Sequence, residues 1–445
     1  MRKLLQRIGM RQAVGTHLLG RVWLSIAQLI TIGLVAKNLT ASEQGYYYSF
    51  LSFQSIENLF ELGFRLVVLQ FASHEAAHLV WTDDRRMEGP EPERRRLGLL
   101  VRFSLKFYLG LALTYGILVF GAGVAYFGLF QETQGVAWQA PWAWMMFASS
   151  FLLFTAPFNM LLEGCGRVDE SYRLRLFMGI GASLAVWGVL LSNGKLFATG
   201  SYVFGSAAIA FTWIAFRYRR FFLEIIREPL PDDHREFIRS FWKMQNKVAA
   251  SSVAYFLRTP ILALVAFPIL GEKIAGQLGM AVSMVTLILT AGSAWIITSA
   301  TRMGNLVAQK NYDQLDKELR STLKRALYTS VVASAGALLL VAILKWTGNS
   351  VGGRILPMPD LVLLATGTVF QVIALAYTYY SRAFKREPLM AMNLVVGVLS
   401  VGFAIVGAYA FGSLGITLGY AALSVLSAWW AKRVIDDQRS SWRVS

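Results

Sequence analysis

Apolar residues along this chain come in long continuous runs, not at the two-residue spacing of a half-buried strand or the narrow stripe of a surface helix. Runs of spanning length recur near residues 14–36, 49–72, 100–128, 142–164, 176–192, 197–216, 249–270, 276–300, 326–344, 361–380, 389–410 and 414–431. About 20 apolar residues cross a bilayer as an α-helix, because the helix satisfies every backbone N–H and C=O internally where no water can. The pattern therefore predicts an all-α membrane protein with twelve transmembrane helices. Between the fifth and sixth runs stands only Ser192-Asn193-Gly194-Lys195, a tight-turn signal. The first run follows Arg2, Lys3, Arg7 and Arg11 and extends from Ala13 to Ala36 without a small-x-small cleavage site. It is expected to be a retained span, not a signal peptide.

Composition agrees with this reading. Of 445 residues, 55% are apolar and 16% charged, whereas a soluble domain carries about a quarter charged residues. Mean hydropathy is +0.48. The formal charge of +17 would suggest nucleic acid in a soluble protein, but its distribution along the threading says otherwise. Lys37, Lys195, Lys273, Lys345 and Arg354 fall on one side, and Arg65, Arg102, Lys106 and Arg258 fall within spans. Every other Lys and Arg, with Arg21 counted to the N-terminal side, falls on the side of the two termini, which the positive-inside rule places in the cytoplasm. A missed or extra span would scramble this asymmetry. The expectation is a multi-pass membrane protein with both termini cytoplasmic and no nucleic-acid partner. Cys165 is the only cysteine, so no internal disulfide can form, and the four histidines lack metal-ligand spacing. No metal or cofactor is expected.

The longest polar connection, Arg217 to Lys247, bisects the chain and is punctuated by Pro229-Leu230-Pro231. Phe237, Ile238, Phe241, Trp242 and Met244 then follow at the spacing of an amphipathic helix lying on the membrane surface. This suggests an N-terminal lobe over 1–220, a linker over 221–248 and a C-terminal lobe over 249–445. A faint repeat supports two halves: Leu39 and Gly45 after the first run match Leu270 and Gly276 after the seventh. Six-plus-six repeats are common in transporters, with the substrate path between the halves.

Ionisable side chains at membrane depth are costly, so each is a candidate site. The second run holds the densest set: Gln54, Glu57, Asn58, Glu61 and Arg65, spaced to share one helical face. Two readings stand. Glu61 and Arg65, at i and i+4, can neutralise each other within the helix, or the face can form a cationic or proton-responsive wall of an aqueous cavity. Arg21 lies on a stripe with His17, Ser25 and Gln28 and either snorkels to headgroups or joins that cavity. The seventh run carries Tyr255 and Arg258 beside Pro260. Arg258 is deeper than snorkelling requires and has no acidic neighbour in sequence. It either faces water or an anionic ligand, which a guanidinium can hold bidentately, or forms an ion pair with an acid distant in sequence.

No catalytic constellation emerges: there is no Walker A sequence, no Rossmann glycine pattern and no nucleophile elbow. Asp83-Asp84 and Asp232-Asp233 sit in polar loops, where solvated charge explains them. The chain is not expected to be an enzyme.

Several segments carry a resemblance. Val35 to Tyr47 is similar to the leucine, short polar stretch and Gly-x-Tyr that follow the first helix of bacterial polysaccharide flippases. Phe60-Glu61-Leu62-Gly63-Phe64-Arg65 resembles their acidic-Leu-Gly element. Leu162-Glu163-Gly164-Cys165-Gly166-Arg167 to Arg173 is similar to the loop after their fourth helix, and Thr301-Arg302 to Leu315 to the charged segment after their eighth. Together these resemble the Wzx-like O-antigen and exopolysaccharide flippases of the multidrug/oligosaccharidyl-lipid/polysaccharide exporter superfamily. The resemblance implies two six-helix lobes around a central cavity and alternating access. It implies movement of an undecaprenyl-diphosphate-linked oligosaccharide between leaflets, within membrane lipids, in a pathway with a polysaccharide polymerase and glycosyltransferases. Arg65 and Arg258 would suit the diphosphate, with Tyr255, Asn58, Gln54 and Arg21 as further substrate contacts. Glu57 or Glu61 would couple a proton or sodium. There are departures. Twelve spans argue against the lipid II flippase branch, which has fourteen, and the absence of an acid in the first span argues against cation-coupled drug exporters that use one there. A drug or metabolite exporter of the same superfamily is the alternative. An integral glycan polymerase or ligase is disfavoured because the longest outer loop, about 346–360, is small.

Overall fold

A computed structural model describes residues 2–130, 135–231, 234–242, 245, 261–349, 351–384 and 386–444. Nearly all of them are helical, as long apolar runs demand in a solvent that cannot hydrogen-bond. Among the described residues, ten helices are long and apolar enough to span a bilayer. The two expected spans missing from that set have identifiable reasons. The seventh falls partly on residues 246–260, outside the described residues; its remainder, from Ile261, is continuous with the eighth in one long element, α10 (Ile261–Ala308), bent at Gly271 (φ 80°, ψ 166°). The second is broken, as described below.

The chain forms two compact units. The first comprises Met1–Leu39 and Phe53–Ser252, and the second Thr40–Ser52 and Val253–Ser445. Residues 40–52, inside the expected 1–220 lobe, thus pack with the second unit.

In the first unit, α1 (Arg2–Asn38) lies against α7 (Val168–Leu191), which pairs with α8 (Phe197–Arg217); α5 (Glu91–Leu129) and α6 (Gln139–Gly164) complete the long helices. Pro90 and Pro92 start α5, where a missing N–H costs nothing. The second span is three pieces: the end of α2 (Ala41–Gln54), α3 (Glu57–Glu61) and α4 (Phe64–Ala76). Leu62 (φ 45°) and Gly63 (φ 73°) are both left-handed and separate the last two. Glycine takes that conformation freely, while leucine bears about 1–2 kcal/mol of strain. Such strain persists only where surrounding packing imposes it. Gly164 lets α6 approach α4 closely, since a Cβ there would stand 2.6 Å from the Ala72 methyl and 2.9 Å from the Leu69 carbonyl oxygen.

The polar loop after α4 is a two-stranded antiparallel hairpin, β1 (Val80–Trp81) and β2 (Met87–Glu88), with Val80 opposite Glu88 and Trp81 opposite Met87. It docks on α9 (Arg219–Arg227): Trp81 meets the Phe221 ring at 4.8 Å, and Arg86 pairs with Glu224 at 3.2 Å. The connector forms a helical segment over 234–242. Its apolar face lies on protein: Phe237 meets Phe71 (5.3 Å), Phe241 meets Phe64 (4.9 Å) and Phe103 (5.2 Å), and Trp242 meets Phe107 (6.1 Å). The sequence predicts a membrane-surface helix here, and an apolar stripe looks the same whichever surface covers it. Gln245 Nε2 then donates to the Leu62 carbonyl at 3.0 Å, satisfying an acceptor that the break leaves open.

In the second unit, α10 packs on α11 (Tyr312–Trp346) and α12 (Met358–Ala383), and α12 on α14 (Ser413–Val444), which follows α13 (Met390–Phe411). Buried Ile296, Leu315, Val372, Tyr380, Ile435 and Trp442 share one core cluster. The start of α2 is fixed by a reciprocal cap. Thr40 Oγ1 accepts from the Glu43 N–H (3.1 Å), and Glu43 Oε2 accepts from the Thr40 N–H (2.8 Å). The repeat glycines meet here. A Cβ on Gly276 would stand 2.7 Å from the Gly45 nitrogen, so backbone lies against backbone. Gln44 Nε2 holds the contact by donating to the Gly276 (3.0 Å) and Arg354 (3.1 Å) carbonyls. Large apolar side chains on the span surfaces are exposed, Phe216 by 87% and Trp346 by 89%, as a lipid-facing surface requires.

Candidate functional site

The break at Leu62–Gly63 organises the charged residues of the first unit. Had the second span been one helix, Gln54 to Arg65 would share a face and Glu61 would stand beside Arg65. The two left-handed residues turn α4 away from α3 and separate them. Glu61 Oε1 instead accepts from the Tyr108 hydroxyl on α5 at 2.5 Å. Arg65 instead approaches Glu163 Oε2 on α6 at 3.6 Å. The expected intrahelical Glu61–Arg65 pair is not among the ion pairs of the described residues.

Glu163 is shared. Arg175 on α7 also donates to its Oε2, and the Ser171 hydroxyl lies 3.4 Å from the same oxygen while donating to Asn159 Oδ1 at 2.8 Å. Two guanidiniums thus converge on one carboxylate. The Arg65 side chain remains 43% exposed, so it is both partnered and accessible. On the other side of the break the balance is acidic: Glu57 and Glu61 lie on one five-residue helix, and Glu57 has no hydrogen bond or counter-ion among the described residues. Base-rich and acid-rich ends therefore flank the left-handed pair.

The other expected residues are placed as follows. Asn58 is exposed and donates to the Ser55 carbonyl at 3.1 Å. Gln54 contributes its backbone, its carbonyl lying 3.4 Å from the Tyr115 hydroxyl. Arg21, on α1, is half-buried; its carbonyl accepts from Ser25 Oγ at 3.0 Å, and its side chain makes no hydrogen bond or ion pair to the cluster. Tyr255 and Arg258 lie outside the described residues. Sequence reasoning missed Glu163, Arg175 and Tyr108 as site members. The one available signal was Glu163 at the inner end of an apolar run, twelve residues before Arg175. Among the described residues, no group of three or more His, Cys, Asp or Glu could hold a metal ion.

Cys165 follows Glu163 in the turn between α6 and α7. It is buried, and burial pushes its thiol up to about 12. The thiolate is the reactive form, so maleimide at pH 8 is expected to leave the folded protein unlabelled and to modify Cys165 only after denaturation. Rapid labelling of native protein, followed by mass spectrometry, would contradict this burial.

Neither a family's sequence profile nor a curated protein sequence matches the chain. Solved structures do match in fold. The lipid II flippase MurJ in an inward closed conformation aligns with a TM-score of 0.67 at 12% identity, over 94% of this chain and 87% of that one. An inward-facing multidrug resistance MATE family transporter of the MOP superfamily aligns with 0.65 at 14%, over 94% and 99%. The Vibrio cholerae MATE transporter VcmN, as a mutant, aligns with 0.62 at 12%, over 98% of both chains. The chain has the fold of MOP-superfamily transporters: an all-α, multi-pass membrane architecture. At these identities the likeness defines the fold alone.

Proposed function

We propose that the chain is a flippase that moves an undecaprenyl-diphosphate-linked oligosaccharide, an O-antigen or exopolysaccharide repeat unit, across the bacterial inner membrane by alternating access. The observation that carries this reading is the convergence of Arg65 and Arg175 on the single Glu163 carboxylate, with Arg65 accessible. Locally that leaves one positive charge in surplus, and an accessible guanidinium fork is matched to phosphate oxygens. Arg258 and Tyr255 are proposed to add to the same recognition, on sequence grounds alone. Glu57, without a counter-ion, and Glu61 are the proposed coupling groups for a proton or sodium. The clustering of Lys and Arg on one side of the threading supports cytoplasmic termini.

A second reading has one observation in its favour. The acid-rich end at Glu57 would equally attract a cationic drug, and two of the fold neighbours are MATE transporters. Reconstitution separates the two. In proteoliposomes, purified protein should transfer an undecaprenyl-diphosphate oligosaccharide between leaflets, read by lectin or enzymatic access to the sugar. It should not concentrate a cationic dye under an imposed proton or sodium gradient. Dye transport without saccharide transfer would establish the exporter and reject the flippase.

A further inference from the structure

A second charged site lies away from the broken span. A cavity of about 780 Å³ is lined by Asp83, Asp84 and Arg85 of the hairpin turn and by Ala215, Phe216, Arg217, Arg219 and Arg220 at the junction of α8 and α9. Two of these arginines are engaged. Arg217 donates to Glu170 at 2.8 Å and lies over the Trp213 ring, and Arg85 lies over the Tyr218 ring. The other four charges are not. Asp83, Asp84, Arg219 and Arg220 are exposed and make no hydrogen bond or ion pair with one another or with any other described residue.

Opposite charges on flexible side chains around one cavity would ordinarily close onto each other. Here the walls are pinned. Trp81 Nε1 donates to the Cys165 carbonyl at 2.7 Å, the Trp81 ring packs on Phe221 at 4.8 Å with Arg167 over it, and Arg86 pairs with Glu224 at 3.2 Å. The hairpin turn that carries the two carboxylates is therefore anchored to α9, the helix that carries the two guanidiniums. The cavity also meets a helix long and apolar enough to span a bilayer. It opens at the end of the apolar helix α8 (Phe197–Arg217), beside Phe216, which is 87% exposed.

We infer that this cavity binds the zwitterionic headgroup of a membrane lipid of the phosphatidylethanolamine type, and this goes beyond the proposed transport activity. Arg219 and Arg220 take the phosphate. Asp83 and Asp84 take the ammonium, whose three N–H donors match carboxylate acceptors. Phe216 and the apolar face of α8 lie along the acyl chains. A purely anionic lipid such as phosphatidylglycerol would satisfy the guanidiniums and meet two uncompensated carboxylates, so the Asp pair confers selectivity by repulsion.

The test is lipid binding to the purified protein, by native mass spectrometry with equal phosphatidylethanolamine and phosphatidylglycerol. The wild type should retain phosphatidylethanolamine over phosphatidylglycerol by about fivefold, the discrimination one exposed ion pair supplies. The double variant Asp83→Asn, Asp84→Asn should lose that preference by gaining phosphatidylglycerol. Arg219→Gln with Arg220→Gln should lower retention of both lipids. All four side chains are exposed, and unchanged thermal unfolding checks that the variants fold. Equal or better retention of phosphatidylglycerol by the wild type, or a preference that survives the Asp double variant, would overturn the inference. So would displacement by soluble glycerophosphoethanolamine at concentrations matching the lipid, since the occupant would then not be a membrane lipid.

Discussion

Arg65→Ala is expected to slow translocation of a diphosphate-linked saccharide by about 10- to 100-fold, the worth of the charge-assisted hydrogen bonds one guanidinium makes. Protein abundance in the membrane should not change. The reason lies in the sharing of Glu163. Without Arg65, Glu163 and Arg175 remain as a balanced pair held by Ser171, so the fold loses only a long contact (3.6 Å) to a half-exposed side chain. Such contacts are worth about 0–1 kcal/mol. What disappears is the surplus positive charge. Arg65→Lys should recover part of the rate, since an ammonium keeps the charge but lacks the planar fork. Glu163→Gln separates transport from folding in the opposite sense. It leaves two guanidiniums facing each other without their carboxylate and should destabilise the first unit. Wild-type rates from Arg65→Ala, measured as leaflet transfer in proteoliposomes, would remove the basis of the phosphate-binding assignment.

The larger structural effect is expected at Gly45. An added methyl would stand 2.1 Å from the Glu272 carbonyl oxygen and 2.7 Å from its carbonyl carbon. Those obstacles are backbone and cannot rotate aside, so the helices must part. Overpacking typically costs about 1–3 kcal/mol where side chains can yield, and here Gly45→Ala should reach or exceed the top of that range. Parting would also stretch both Gln44 bonds and wet Glu272, which is buried (2% exposed) with neither carboxylate oxygen hydrogen-bonded. Thermal unfolding in detergent should show a clear fall for Gly45→Ala and none for Gly33→Ala, where the added methyl meets nothing within 4 Å. Equal melting of the two variants would mean that the glycine contact is looser than described.

Much of the architecture was legible because lipid imposes a single demand. Runs such as 142–164 and 389–410 correspond closely to Gln139–Gly164 and Met390–Phe411. Helix ends were less legible where charge continues the helix beyond the apolar run: the expected 326–344 is the apolar end of Tyr312–Trp346, whose charged first turns remain helical under the Asn311 cap. The break at Leu62–Gly63 could not be read, since one glycine inside an apolar run does not ordinarily stop a helix. That break in turn made the i,i+4 spacing of Glu61 and Arg65 misleading. Arg65 was identifiable as a costly charge at depth. Its partner Glu163, 98 residues away, was not, because a single chain carries no record of which helices become neighbours. Arg175 precedes the apolar run that begins near 176, yet it lies within α7 (Val168–Leu191).

The assignment of residues 40–52 to the second unit changes how the molecule can be taken apart. The polypeptide passes between the units three times, at residues 39–40, 52–53 and 252–253, and not only at the central connector. The short stretch behaves as an exchanged arm, belonging to one body by sequence and to the other by packing. A proteolytic nick near Pro229-Leu230-Pro231 would therefore leave the fragments clasped together by the Gly45–Gly276 seam. Expressing 249–445 by itself would strip α10 of the strap that covers Glu272.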